Sequence, residues 1–210
     1  MSTLSPRSPG LLLAAVAGAL ALASCGGVRP EDDRNKMIVS VRDQRMLLVH
    51  DGQPVRFYRI STSKFGLGSE AGSYRTPLGR MKVTQKIGGR APVGMVFKSR
   101  RETGEILRPN APGRDPIVSR ILWLDGKDLH NRNTRKRLIY IHGTPEENRL
   151  GTPASYGCIR MGMSDVVDLY RRVGYGAEVR VIRGPLLDTG PGRVYAARRA
   201  QTEVADSTRG

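Results

Sequence analysis

The chain is short of the residues that build disulfide frameworks, metal sites and base-stacking surfaces. Among 210 residues there are two cysteines, three histidines and one tryptophan, and aromatics make up 5%. Two cysteines close at most one disulfide, and three scattered histidines with them form no cluster of structural-zinc spacing. No metal or other cofactor is expected. Low aromatic content argues against a surface that stacks nucleic-acid bases. Long apolar runs are missing too. Leu11–Ala23 is about 13 residues long and is broken by glycine, whereas a membrane-spanning helix needs roughly 20. Acid is also in deficit, with 19 Asp and Glu against 35 Lys and Arg and a formal net charge of +16. Such a field attracts polyanions in general: nucleic acid, anionic lipid headgroups or a carboxylate-rich polymer.

What is present begins with a leader. Residues 1–24 contain one base, Arg7, and no acid, followed by the short apolar core and small residues before Cys25. That order describes a secretory signal peptide. Leu22-Ala23-Ser24-Cys25 resembles the bacterial lipobox, whose cysteine takes a diacylglyceryl group and becomes the mature N-terminus. The expectation is an exported protein, lipid-anchored through Cys25 to a membrane facing the periplasm. Gly26, rather than Asp, fits sorting to an outer membrane in a Gram-negative host. Loss of Arg7 with the leader lowers +16 to +15. Export makes nucleic acid an improbable partner, so the scattered bases read as a solvated surface suited to anionic wall material. Once Cys25 is lipidated, Cys158 is the sole remaining thiol. It then has no internal disulfide partner in an oxidising compartment.

Behind the leader the pattern divides into a polar tether over 25–36, one domain over 37–183 and a tail over 184–210 without apolar periodicity, expected to be disordered. The domain reads as mainly β. Strand-like runs start at Ile38, cover Met46–Val49 and Val55–Ile60, and recur at Met81–Lys86, Ile121–Leu124, Leu138–Ile141 and Glu178–Ile182. Asp51-Gly52 is a hairpin signal. Residues 64–77 form a glycine-rich loop, and 88–116, rich in Gly and Pro, predict only short regular elements. Ser164–Val173 is the one convincing helix, with Ser164 as cap, Asp165 in the first turn and Val166, Leu169, Tyr170 and Val173 on one face.

The chemistry is concentrated between His142 and Cys158. His142-Gly143-Thr144 follows an apolar strand, and Cys158 lies 16 positions further along a segment containing Pro145, Gly151, Pro153 and Gly157. A loop of that composition can fold back and set an imidazole against a thiol. A histidine in reach can take the thiol proton and return it to a leaving amine. Gly157 lets backbone approach a reacting carbonyl, amides near Cys158 can line an oxyanion hole, and Arg160 can bind a carboxylate or lower the thiol pKa. Spacing alone leaves a Cys–His pair and a merely buried cysteine both open. His50, at the hairpin, and His130 have no motif around them and read as structural or exposed.

His142-Gly143-Thr144 followed by Ser155-Tyr156-Gly157-Cys158-Ile159-Arg160-Met161 resembles the signature of the L,D-transpeptidase catalytic domain, also called the YkuD domain. The hairpin at Asp51-Gly52 and Thr76-Pro77-Leu78-Gly79 precede it in the order that family has. The resemblance implies a mostly β sandwich with few short helices and a lid over the site. It implies Cys158 as nucleophile, His142 as base, and the Gly143 carbonyl as the group that orients the imidazole. Ser155, Tyr156, Gly157 and Arg160 fall at positions that shape the donor pocket and oxyanion environment. Tyr156 stands where many members have His. The implied substrate is a peptidoglycan tetrapeptide stem, cut before its terminal D-alanine. The acyl group then passes to a neighbouring stem, a protein lysine or water, and an L,D-carboxypeptidase or a hydrolase of wall–protein links is an alternative use of the same site. A non-catalytic wall-binding lipoprotein is the competing class.

Overall fold

A computed structural model describes residues 30–207. The expected leader and the lipidation candidate Cys25 lie outside the described residues. Ten strands and two helices follow in order: β1 Asn35–Ser40, β2 Arg45–His50, β3 Gln53–Ser61, β4 Gly79–Ile87, β5 Met95–Lys98, β6 Arg101–Ile106, β7 Ile117–Gly126, β8 Tyr140–Gly143, β9 Ile159–Met161, α1 Met163–Arg172, β10 Glu178–Ile182 and α2 Gly190–Ser207. The strands pair in the order β4-β10-β1-β2-β3-β9-β8-β7-β5-β6, and β4 pairs again with β7. Eight strands therefore close into a ring, with β5–β6 as an outlying hairpin. The fold is mainly β, as the pattern predicts, and its strands enclose one apolar core.

The β2–β3 hairpin follows from its turn. Asp51 and Gly52 take φ of 47° and 75°, the double positive φ of a two-residue turn whose twist suits paired strands. His50 then pairs with Gln53, and alternation sends Met46, Leu48, Tyr58 and Ile60 inward. The core also takes Met37 and Val39, Met81 and Val83, Leu122 and Leu124, Ile141, Ile159 and Met161, and the α1 face of Val166 and Leu169.

Three expectations change. The domain begins before residue 37, since β1 starts at Asn35 and the Asp32 side chain already accepts from the amides of Asn35 and Gly174. Ser164 does not cap α1. The helix starts at Met163, whose amide donates to Glu147 Oε1 at 2.7 Å, so a carboxylate from a distant loop does the capping. The segment expected as a disordered tail carries a 3-10 turn, Leu186–Asp188, and α2. The reason lies in the strands. Ile38, Leu47 and Val49 point away from the main core and are buried by Leu186, with Phe57 and Tyr195 against them. Phe57 and Tyr195 meet edge-to-face at 4.3 Å. Unbroken runs such as Met46–Val49 need cover on both faces, and the C-terminal segment supplies the outer one.

Candidate active site

The site is built on β8 and β9, which run parallel with Ile141 opposite Ile159 and His142 opposite Arg160. Paired residues share a face, and the face alternates along each strand. With Ile141 and Ile159 in the core, His142, Arg160, Tyr140 and Cys158 share the opposite side. There the half-buried Cys158 packs against the cluster formed by Ala91, Met95, Phe97, Ile121 and Tyr140, which brings part of the Gly/Pro-rich segment 88–116 to this face.

The loop before Cys158 is shaped by Ser155 and Gly157. Gly157 has φ of 114°, and a Cβ there would meet the Tyr74 and Arg75 carbonyls at 3.4 and 3.3 Å, so neither backbone nor space admits a side chain. The Ser155 hydroxyl donates to the Cys158 carbonyl at 2.6 Å and accepts the Gly157 amide at 3.2 Å. Ser155 thus holds the loop's shape, and the Gly157 amide is already engaged.

The thiol donates to the Leu138 carbonyl and accepts the Tyr140 amide, both at 3.4 Å. Leu138 reaches that position with φ of 59°, an uncommon conformation for a bulky residue. Burial pushes the Cys158 thiol up to about 11, and the Tyr140 amide and the Arg137 and Arg160 charges offset only part of it. The expected thiol-activating effect of Arg160 is therefore outweighed in the resting site.

His142 is 5% exposed. Its Nδ1 donates to the Gly143 carbonyl at 2.8 Å, which leaves Nε2 as the nitrogen with a free lone pair. Burial lowers its pKa, the Gly143 bond and Asp115 oppose that, and Arg160 adds to it, so the imidazole rests neutral. Gly143 is glycine by close approach, because a Cβ would stand 2.6 Å from the Val118 carbonyl and 3.0 Å from Val166 Cγ1.

Arg160 is 2% exposed, where an unpaired charge would be costly. Its Nη1 binds Asp115 closely and Glu146 Oε2 at 2.9 Å, while Nε and Nη2 are buried without a hydrogen-bond partner among the described residues. Asp115 also accepts from the Thr144 hydroxyl. The guanidinium is thus met first by two protein carboxylates. His130 Nε2 meets the Leu78 carbonyl and His50 Nδ1 meets Asn35 Oδ1.

The loop between β3 and β4 packs beside the site. It is tied to the cysteine loop by the Lys64 amide on the Ser155 carbonyl and the Thr76 hydroxyl on the Gly157 carbonyl, at 3.1 and 3.0 Å. From the other side Arg137 donates to the Gly68 and Arg75 carbonyls and to Ser73 Oγ, and Asn133 donates to the Ser69 carbonyl.

Residues 34–181 match the L,D-transpeptidase catalytic domain, YkuD. The chain belongs to that family. Among curated relatives, the protein YqjB of Bacillus subtilis (strain 168), provisionally named an L,D-transpeptidase, is 28% identical over 145 residues covering 69% of each chain. Among solved structures, an L,D-transpeptidase from Mycobacterium tuberculosis H37Rv is 18% identical with a TM-score of 0.46, covering 71% of this chain and 58% of its own. The L,D-transpeptidase of Xylanimonas cellulosilytica DSM 15894 is 21% identical with a TM-score of 0.45, covering 73% and 62%. This chain spans about three fifths of the length of those solved chains.

The motif residues Cys158, His142, Gly143, Ser155, Gly157 and Arg160 come together on one strand pair and the loop that joins it. Tyr156 turns outward, 60% exposed. Sequence reasoning missed Asp115, Glu146, Arg137, Leu138 and Tyr140. Asp115 had one signal, an acid among Arg114 and prolines in a segment too short of apolar residues to fold by itself.

Proposed function

We propose that the chain is a cysteine-dependent peptidoglycan L,D-transpeptidase, exported and lipid-anchored through Cys25. The observation that carries the reading is the neutral His142, its Nδ1 proton committed to Gly143 and its Nε2 unprotonated, on the same strand-pair face as the sole thiol of the described residues. Burial holds the Cys158 thiol up at about 11, so the thiol rather than the thiolate is the resting form near pH 7. Attack therefore needs a base at the moment of reaction rather than a preformed ion pair.

In the first step Cys158 leaves its contact with Leu138, its proton passes to His142 Nε2, and Sγ bonds to the carbonyl carbon of the third stem residue. The tetrahedral oxyanion collapses, the bond to the D-alanine nitrogen breaks, and that nitrogen takes the proton from His142. A thioester remains. An amine then attacks the thioester, giving its proton to His142, and the sulfur leaves and recovers that proton as the thiol. Asp115 favours the transient imidazolium through its charge, and the Gly143 carbonyl keeps the ring oriented.

A carbapenem added to the full chain is expected to raise its intact mass by one adduct on Cys158, and Cys158→Ala is expected to take none. No adduct on the unsubstituted chain sinks the reading. Muropeptides of a strain lacking the chain identify the acceptor: lost 3→3 dimers, a lost wall-bound protein, or accumulated tetrapeptides point to stem, lysine or water.

A further inference from the structure

Among the described residues the exposed aromatic side chains are Phe65 at 45%, Tyr74 at 58% and Tyr156 at 60%. They come from separate chain positions, yet they form one cluster. Ring centroids lie 5.4 Å apart for Phe65–Tyr156 and 5.9 Å for both Phe65–Tyr74 and Tyr74–Tyr156. The rings are inclined to one another by 42° to 89°, and Lys64 stands beside them, its Nζ 2.9 Å from the Tyr156 hydroxyl, 4.3 Å from the Tyr156 ring centre and 5.3 Å from the Phe65 ring centre. A patch of large rings left in water has a cost that a folded surface normally avoids, and such patches mark contact sites.

We infer that Phe65, Tyr74 and Tyr156, with Lys64, form a platform that stacks a sugar ring of the glycan strand. A pyranose presents a face of polarised C–H groups, which suits the electron-rich face of an aromatic ring. Its rim of hydroxyl and acetamido groups suits the Lys64 ammonium and the Tyr156 hydroxyl beside it. The inference rests on the proposed stem-peptide reading for its choice of polymer. The carbonyl attacked there is three residues from the sugar, about 10 Å of extended chain. Tyr156 precedes Cys158 by two residues, and Ser63 and Thr76 of the β3–β4 loop are bound to the same loop. The platform thus stands one short peptide from the thiol.

The test uses the full chain carrying Cys158→Ala and peptide-free glycan strands of alternating amino sugars, followed by titration in NMR. The parent is expected to bind, Tyr74→Ala to bind about fivefold to tenfold more weakly, as one lost stacking contact implies, and Tyr74→Phe, which keeps the ring, to bind like the parent. Two results overturn the inference: a parent that does not bind the glycan, or Tyr74→Ala binding as tightly as the parent. The latter would leave the cluster as a contact that merely seats the β3–β4 loop. Acylation of the unsubstituted chain by free tetrapeptide is read separately by mass. A chain that is acylated without binding glycan defeats this inference alone. A chain that binds glycan with no acylation defeats the transpeptidase reading and leaves a glycan-binding surface.

Discussion

Ile139, Ile141, Ile159 and Met161 lie in the apolar core, while Tyr140, His142, Cys158 and Arg160, their immediate neighbours, face the other way. The two faces of one strand pair therefore carry opposite chemistry. One is close-packed and insensitive to charge. The other holds a thiol, an imidazole and a buried guanidinium whose state depends on its neighbours. The period of two lets the first face fix the second, since each reacting side chain is flanked along the backbone by anchored ones. Stability and reactivity should be separable by stepping one residue along β8 or β9.

The largest expected effect is at Cys158. Cys158→Ala should abolish acylation by carbapenem or tetrapeptide, read by intact mass, while the melting temperature stays close to the parent value. Next is His142→Gln, which keeps a polar side chain but removes the base. Acylation should fall about 10²–10⁴-fold, with the adduct still forming slowly. If His142→Gln acylates at the parent rate, the proton acceptor lies elsewhere. Ile159→Ala reverses the outcome one residue from the thiol. It should cost about 2–5 kcal/mol in denaturant unfolding, while the acylation rate per folded molecule stays near the parent value. A large loss of both would mean the faces are not independent.

The two faces also differ in how far the sequence reveals them. The apolar face was legible from alternation and from runs such as Leu138–Ile141, while the strand order was not. Cys158 and His142 were legible because they sit in a short local motif. The Gly143 carbonyl contact was legible only through resemblance. Asp115, Glu146 and Arg137 were not legible, because Asp115 and Glu146 reach Arg160 across 45 and 14 residues, and Arg137 reaches the β3–β4 loop across more than 60, of non-periodic chain. The helical C-terminal segment was missed for a different reason. Its low amphipathicity hides it, and the evidence for it lies in the outward-facing Ile38, Leu47 and Val49 that it helps to cover.

The smallest expected effect is on pH dependence. Acylation needs neutral His142, and burial holds its pKa below the ordinary value near 6.5. The rate should therefore stay level as pH falls through 6.5 and decline only further into acid. The Asp115 charge opposes that lowering and Arg160 adds to it. Asp115→Asn removes a charge that favours imidazolium, so the acid limb should shift to still lower pH, with Glu146 left to pair Arg160 Nη1. The same substitution weakens a buried ion pair and should destabilise the fold. Stability has the matching sign in the parent. Because the unfolded chain protonates this histidine at a higher pH than the folded one does, the contribution is present above about 6.5 and is lost as pH falls through the folded pKa. An acid limb that stays in place in Asp115→Asn, in a chain that still folds, would show that Asp115 serves Arg160 alone and leaves the imidazole untouched.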